Sequence, residues 1–404
     1  MISKEDLQFI KSHAPCYIYD KSVIRSHAEK LKDILPGYTV LASVKTNPFL
    51  PVLRTFNEQG IGADAASIGE VRAAAQAGMK PGDIYYSAAG KTNEELEEGL
   101  FSSVLTADSI GEIERISGIA RKRGIHAEIG VRINPDFTLD SDKGVTGKFG
   151  VCEEELPALS KALDKLSNVT VKGIHVHIKS QQLDAERLGR SYEKIYEMAE
   201  RIQKLAHFEL EFVNFGGGVG IVYDESAEKP LDLQVLAQYA AAVAEKNTRS
   251  LHARLLVESG RFLSCESGTY YTDVIDIKNV RGKQYVIVRG GMNGFLRPVM
   301  TNVLNHLLPG VEFPPPEPLY TRSHSFEFDI LNDETKYETY DICGCLCTAA
   351  DVLLADAYMK KANIGDIISV SKAGSYAYAL TPMLFSGHAA PGQYLKDGTT
   401  YIEK

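Results

Sequence analysis

The chain has 404 residues, 44% hydrophobic and 24% charged, with a formal net charge of −9. That suits a globular protein of two domains with a large core, and the acidic balance, with no basic stripe, argues against a nucleic-acid partner. The first residues, MISKEDLQFIKSHAP, are charged throughout and lack an apolar stretch, and no segment approaches the length of a membrane span, so a cytoplasmic protein is expected.

In chain order, CYIYD near the N-terminus reads as a strand. From about residue 38, short apolar runs alternate with longer amphipathic stretches. The runs are TVLASV (39–44), IGADAA (61–66), DIYYSA (83–88), SVLTA (103–107), AEIGVRI (127–133), VKGIHVHI (171–178), EFVNF (211–215) and ARLLVE (253–258). Between them, 68–78, 93–100, 110–124, 188–206 and 232–247 repeat apolar residues at three- and four-residue gaps, the pattern of helices with one buried face. Gly78 and Gly124 stand where such helices end. Eight strand–helix rounds predict an α/β architecture, a closed (β/α)8 TIM barrel over residues 23–262. After about residue 262, runs such as YYTDVIDIKNV, KQYVIVRG, EFDILND, ETYDICGCL and GDIISVSKAGSYAYA alternate like antiparallel strands, with glycine and proline between them, including FPPPEP (313–318). Residues 263–404, with 1–22, therefore read as a β-rich second domain. Three of the six cysteines alternate in CGCLC (343–347), which on a strand would share one face. No second ligand pair accompanies them, so no metal is expected.

A TIM barrel carries its chemistry at the C-terminal ends of its strands. Those ends hold Lys45, Asp64, Ser87, Arg132 with Asn134, His175 with His177, Gly216–Gly217–Gly218, and Glu258. Singly, each has an ordinary structural reading: a solvated lysine, a core histidine, a tight glycine turn. Together they set an amine, an imidazole, a phosphate-sized glycine loop and a carboxylate around one mouth. Pyridoxal 5'-phosphate needs those groups: a lysine for its aldehyde, backbone N–H groups for its phosphate, a flat side chain on its ring, and an acid at its ring nitrogen.

The motifs resemble those of the pyridoxal-phosphate-dependent decarboxylases of the alanine-racemase-like fold, the group of diaminopimelate and ornithine decarboxylases. SVKTNP is similar to the segment around the cofactor lysine, which makes Lys45 that residue. ADAASIGE resembles the Asp-x-x-Ser-x-x-Glu stretch (Asp64, Ser67, Glu70), and HVHIKSQ the His-x-Gly-Ser segment. The latter implies that His177 stacks on the ring and Ser180 meets the phosphate. NFGGGVG is similar to the phosphate loop (Gly216, Gly217, Gly218). VESGR resembles Glu-Pro-Gly-Arg, implying Glu258 at the ring nitrogen, with Gly260 and Arg261 near phosphate and substrate. KFG (148–150) also fits. GMNGFLRPVM resembles the segment around a substrate-binding arginine, here Arg297, CGCLCTAAD the segment of the catalytic thiol, Cys347, and AGSYAYA offers Tyr376 to the phosphate. The resemblance further implies a homodimer with shared active sites, in which Cys347 serves the partner's cofactor.

The sequence departs from the pattern at four positions. Lys179 replaces the glycine of His-x-Gly-Ser, Ser259 the proline of Glu-Pro-Gly-Arg, Thr301 a tyrosine of the diaminopimelate type, and Thr348 the acidic residue that follows the thiol. That acid meets the distal amine of the relatives' substrates. Thr301 and Thr348 are thus candidate substrate-binding positions, and a substrate with a distal carboxylate or a larger acidic group is one expectation. LFSGHAAPGQ also resembles decarboxylases of secondary metabolism that act on modified or carrier-linked amino acids. Diaminopimelate is the other expectation, with Asp351 or Glu327 replacing the missing acid. Amino-acid racemase or epimerase and non-catalytic regulator are competing functions. Glu258 and Cys347 disfavour the first, and the retained lysine and glycine loop disfavour the second.

Overall fold

Eight of the short apolar runs are strands. In the computed structural model, which describes residues 2–205, 208–307, 318–319 and 325–403, they are β1 (Tyr38–Ser43), β2 (Gly62–Ala65), β3 (Ile84–Ser87), β4 (Val104–Ala107), β5 (Ala127–Asn134), β6 (Val169–His175), β7 (Phe208–Asn214) and β8 (Arg254–Ser259). Each pairs in parallel with the next, and β8 pairs in parallel with β1, so the sheet closes. β2, β3 and β8 are buried on both faces almost throughout, which is why they read as continuous apolar runs, whereas β5, β6 and β7 alternate before their buried C-terminal ends.

The connecting helices include Ile68–Gln76, Asn93–Ser102, Ile110–Arg123, Ala185–Ile202 and Leu233–Asn247. Their starts are fixed by side chains that accept first-turn N–H groups: Ser67, Thr92, Ser109, Asp184 and Asp232. Ala185–Ile202 buries Leu188, Tyr192, Ile195, Ala199 and Ile202, one face of a 3.6-residue period. Two further barrel helices, Leu50–Glu58 and Leu156–Leu163, were not anticipated. Each has proline in its first turn, where the residue's preset φ favours the helix even though in sequence it suggests a break.

The chain divides into two compact units. One comprises Arg25–Ile221 and Pro230–Leu263 and holds the barrel; the other comprises the residues before Arg25, Val222–Lys229 and the residues from Ser264 onward. The second unit is mostly strand. Its strand Cys16–Asp20 pairs antiparallel with β9 (Gly268–Val280). β9 pairs antiparallel with β10 (Lys283–Val288), which continues through β12 (Tyr337–Cys343) to β13 (Val352–Lys360). β11 (Phe328–Ile330) lies antiparallel beside β14 (Ile367–Val370), which also pairs with β9. β15 (Gly392–Asp397) runs parallel to Cys16–Asp20 and pairs with β16 (Thr400–Ile402).

Several expectations are corrected. β6 stops at His175, and His177 lies in the loop beyond it, because Val176 makes the last ladder bond, to Asn214 O at 2.9 Å, before the chain turns. AGSYAYA is not strand: after β14, Lys372 and Tyr376 take φ of +54° and +51°, and Tyr378–Leu380 is a 3-10 turn. GMNGFLRPVM, assigned no element from its sequence, leads into a helix, Leu296–Leu307, whose proline falls within its first turn. β12 ends at Cys343, so Cys345 and Cys347 lie in a loop and the three thiols do not share a strand face. Among the described residues no group of three His, Cys, Asp or Glu side chains is placed to hold a metal, and no helix is long and apolar enough to cross a membrane. FPPPEP up to residue 317 lies outside the described residues.

Candidate active site

Lys45 sits on a 3-10 turn, Val44–Thr46, immediately after β1. The turn is held by Thr46 Oγ1 donating to Ser43 O at 2.8 Å and by Asn47 N–H donating to Val44 O at 3.0 Å. A Cβ on Gly260 would overlap Thr46, so the glycine after β8 lets that strand's end press against the lysine turn. Lys45 Nζ donates to Asp64 Oδ2 at 2.7 Å; the Asp64 side chain is 2% exposed and that of Lys45 41%. Ser87 Oγ reaches Asp64 Oδ1 at 3.4 Å. The Asp-x-x-Ser-x-x-Glu stretch is built around the next helix: Ser67 caps it, and Glu70 accepts the Ala66 N–H at 2.7 Å.

The opposite side of the mouth comes from β6, β7 and β8. Register sets Arg132, His175 and Asn214 side by side. Asn214 Nδ2 donates to Glu258 Oε1 at 2.9 Å, and Asn214 Oδ1 accepts the Gly216 N–H at 2.9 Å. His177 Nδ1 accepts the Gly217 N–H at 3.1 Å, and its Nε2 lies 3.2 Å from Ser180 Oγ. The glycines permit this: Gly216 has φ +68°, and a Cβ there would overlap Val176 O, while one on Gly217 would sit 3.3 Å from Glu258 O. The Gly216 and Gly217 amides are thus already engaged by side chains, whereas the phosphate expectation needed such amides turned to a ligand.

His177 Nδ1 also lies 3.9 Å from Glu258 Oε2. That approach is not an ion pair, because the nitrogen's lone pair is taken by an amide hydrogen, which places the ring proton on Nε2. Burial, reinforced by Lys45, Arg132 and His175 and opposed by Glu258, pulls the His177 pKa down to about 3, so the ring is neutral. Glu258 is 3% exposed. Desolvation alone would raise its pKa, but the close approach of His175, then the charge of Lys45, outweigh that and hold it well below the usual carboxylate range.

Lys45, Asp64, His177, Ser180, the three glycines, Glu258, Gly260 and the buried Arg261 therefore all belong to the barrel unit, and interactions join most of them directly. Lys179, between His177 and Ser180, is exposed, 3.7 Å from Asp140. Ser259 is buried, and among the described residues its Oγ has no partner. The remaining expected residues lie in the second unit. Arg297 is fully buried, 4.9 Å and 5.1 Å from the ring centroids of Tyr223 and Phe326, and donates to Ser375 O. Thr301 lines a groove of about 690 Å³ that Glu327 also lines. Cys347 is exposed, its Sγ 3.7 Å from Ser386 Oγ. Thr348 Oγ1 accepts the Ala350 N–H, and Tyr376 is buried. Asn214 was missed by the sequence reading. Its place as the last residue of a barrel strand, directly before the glycine loop, was the available signal.

Glu258 also supplies the test of the cofactor. Its Oε1 is held by Asn214, yet among the described residues no donor reaches Oε2 within hydrogen-bond distance. A carboxylate oxygen that the protein leaves without a donor is open to one from a ligand. A protonated ring nitrogen satisfies it, and the mouth also offers a primary amine and a neutral flat imidazole, so these residues fit pyridoxal phosphate.

Comparison with known proteins agrees. Residues 21–265 match the family described as "Pyridoxal-dependent decarboxylase, pyridoxal binding domain". Diaminopimelate decarboxylase of Aquifex aeolicus is 29% identical over 374 residues, covering 91% of this chain and 83% of the relative. An L-glutamyl-(BtrI acyl-carrier protein) decarboxylase of Niallia circulans is 29% identical over 396 residues, covering 96% and 90%. The structure of Helicobacter pylori diaminopimelate decarboxylase complexed with L-lysine superposes with a TM-score of 0.81 at 27% identity, covering 97% of this chain and 94% of that one. The chain belongs to the pyridoxal-dependent decarboxylase family and is an amino-acid decarboxylase of the diaminopimelate decarboxylase type that uses pyridoxal 5'-phosphate.

Proposed function

We propose that this decarboxylase acts on an amino acid whose far end is acidic or acyl-linked, not on one with a free distal ammonium. The observation that carries this is the state of Asp351. Its Oδ1 accepts the Met292 N–H at 2.6 Å and its Oδ2 the Leu346 N–H at 2.9 Å, so the carboxylate staples two loops together. It is 2% exposed. With Thr348 after Cys347, the nearest candidate acid is thereby committed to backbone, and a buried distal ammonium without a partner is costly. The relative whose name specifies an L-glutamyl group on a carrier protein supports the same reading. Arg261 and Arg297 are the proposed carboxylate-binding residues, suited by their planar, bidentate donors. Diaminopimelate is the second reading, favoured by the names of relatives such as the Aquifex protein.

When bound, pyridoxal phosphate supplies an electron sink for the pair left on Cα as the carboxylate departs. Lys45 is the proposed attachment point, and Asp64 fixes its Nζ. His177 would cover one face of the ring as a neutral imidazole that neither adds charge nor repels the ring's own proton. Glu258 would keep the ring nitrogen protonated. Cys347 Sγ is the proposed donor of the proton to Cα. A thiol can act as a general acid of this kind. The proposed form is a homodimer in which that thiol comes from the partner.

The test is CO2 release from purified enzyme offered diaminopimelate, lysine, ornithine, glutamate and carrier-bound glutamate. Turnover confined to the acidic or carrier-linked substrates is expected. Rapid lysine formation from diaminopimelate would defeat the proposal.

A further inference from the structure

The two oxygens of Glu258 are treated differently by the protein. Oε1 receives the Asn214 Nδ2–H at 2.9 Å, and His175 Nε2 lies 3.1 Å from it. Among the described residues Oε2 has only the 3.9 Å approach of His177 Nδ1, which donates no proton. Asn214 cannot flip its amide at no cost, because its Oδ1 holds the Gly216 N–H. His175 is 2% exposed, and among the described residues neither ring nitrogen forms a well-aligned hydrogen bond, although Nε2 is within reach of Glu258. A buried imidazole in that state calls for an explanation. Hydrogen bonds at such sites often tighten only when the ligand is present.

We propose that Asn214 and His175 are positioning residues that together grip Oε1 of Glu258 and so reserve Oε2 for the ring nitrogen of the cofactor. The inference rests on Glu258 being the ring-nitrogen partner. Asn214 sets the rotation of the carboxylate and links it to the glycine loop, and His175 closes the other approach to Oε1. The remaining ionisable groups facing Glu258 are Lys45 after β1, Arg132 at the end of β5 and His177 after β6. None of them donates to Oε1, so the two positioning residues have no substitute among the described residues.

Holoenzyme is tested as wild type, Asn214→Ala, His175→Ala, His175→Gln and Glu258→Gln, with Asn214→Ser if Asn214→Ala does not fold. Two quantities are read: the pH titration of the cofactor's visible absorption and the cofactor dissociation constant. Asn214→Ala and His175→Ala are each expected to weaken cofactor binding about tenfold, the scale of one charged hydrogen bond. Both should move the absorption titration in the direction that Glu258→Gln moves it. His175→Gln, which keeps a donor of similar reach, should stay near wild type, and Asn214→Ala should add nothing in a Glu258→Gln background. Variants that melt earlier but titrate and hold cofactor like wild type would reduce both residues to structural roles and overturn the inference. A Glu258→Gln enzyme whose absorption titrates like wild type would instead remove Glu258 from the ring nitrogen, a separate failure.

Discussion

The imidazole of His177 accepts an amide hydrogen on one nitrogen and meets Ser180 on the other, and both contacts suit a neutral ring. Protonating Nδ1 would break the bond to Gly217, and burial already disfavours the cation. This has a consequence for stability. The folded-state pKa, about 3, lies below the unfolded value near 6.5, so between those values the unfolded chain binds a proton that the folded chain refuses. The contribution of this residue is therefore intact above about pH 6.5 and is lost as pH falls toward about 3. Wild type should lose stability relative to His177→Phe on going from about pH 7 to about pH 4, measured by denaturant unfolding at each pH. A difference between the two proteins that does not change with pH would mean that His177 is not held neutral.

At the scale of elements, the barrel is filled by reaching across strands. Leu41, Tyr85, Phe212 and Leu256 form one buried cluster from β1, β3, β7 and β8. Phe212 extends over two glycines: a Cβ on Gly130 of β5 would come within 2.8 Å of its ring, and one on Gly173 of β6 would overlap it. Gly173→Ala should therefore destabilise the protein by about 1–3 kcal/mol through overpacking, and Phe212→Leu should recover part of that loss. Thermal melts of the two single variants and the double variant check it, and additive losses would refute it. This packing also marks where sequence reading stops. The strands were legible because each carries a run of buried apolar residues toward its C-terminal end, and the mouth residues because strand ends are where this fold keeps its chemistry. The pairing of Gly173 with a ring from β7, and of Asn214 with Glu258, depends on strand register, which no single run carries. The helix after Phe295 was hidden for a local reason, since glycines and a proline crowd its start.

At the scale of the whole molecule, the proposed chemistry draws on both units of the chain. Lys45, Glu258 and His177 belong to the barrel unit, whereas the proposed proton donor, Cys347, belongs to the β-rich one. Its thiol is exposed, with Ser386 Oγ at 3.7 Å, a setting open to a second chain. If each site takes Lys45 from one subunit and Cys347 from the other, two different inactive proteins can repair each other. Lys45→Ala and Cys347→Ala should each be nearly inactive alone. After unfolding and refolding together, random pairing makes half of the dimers mixed, each with one intact site and one doubly damaged site, so about a quarter of wild-type activity should return. A sedimentation measurement of the mixture should give a dimer throughout. If the mixture is no more active than its parents while dimers form normally, Lys45 and Cys347 serve the same site from the same chain, and the shared-site arrangement is wrong.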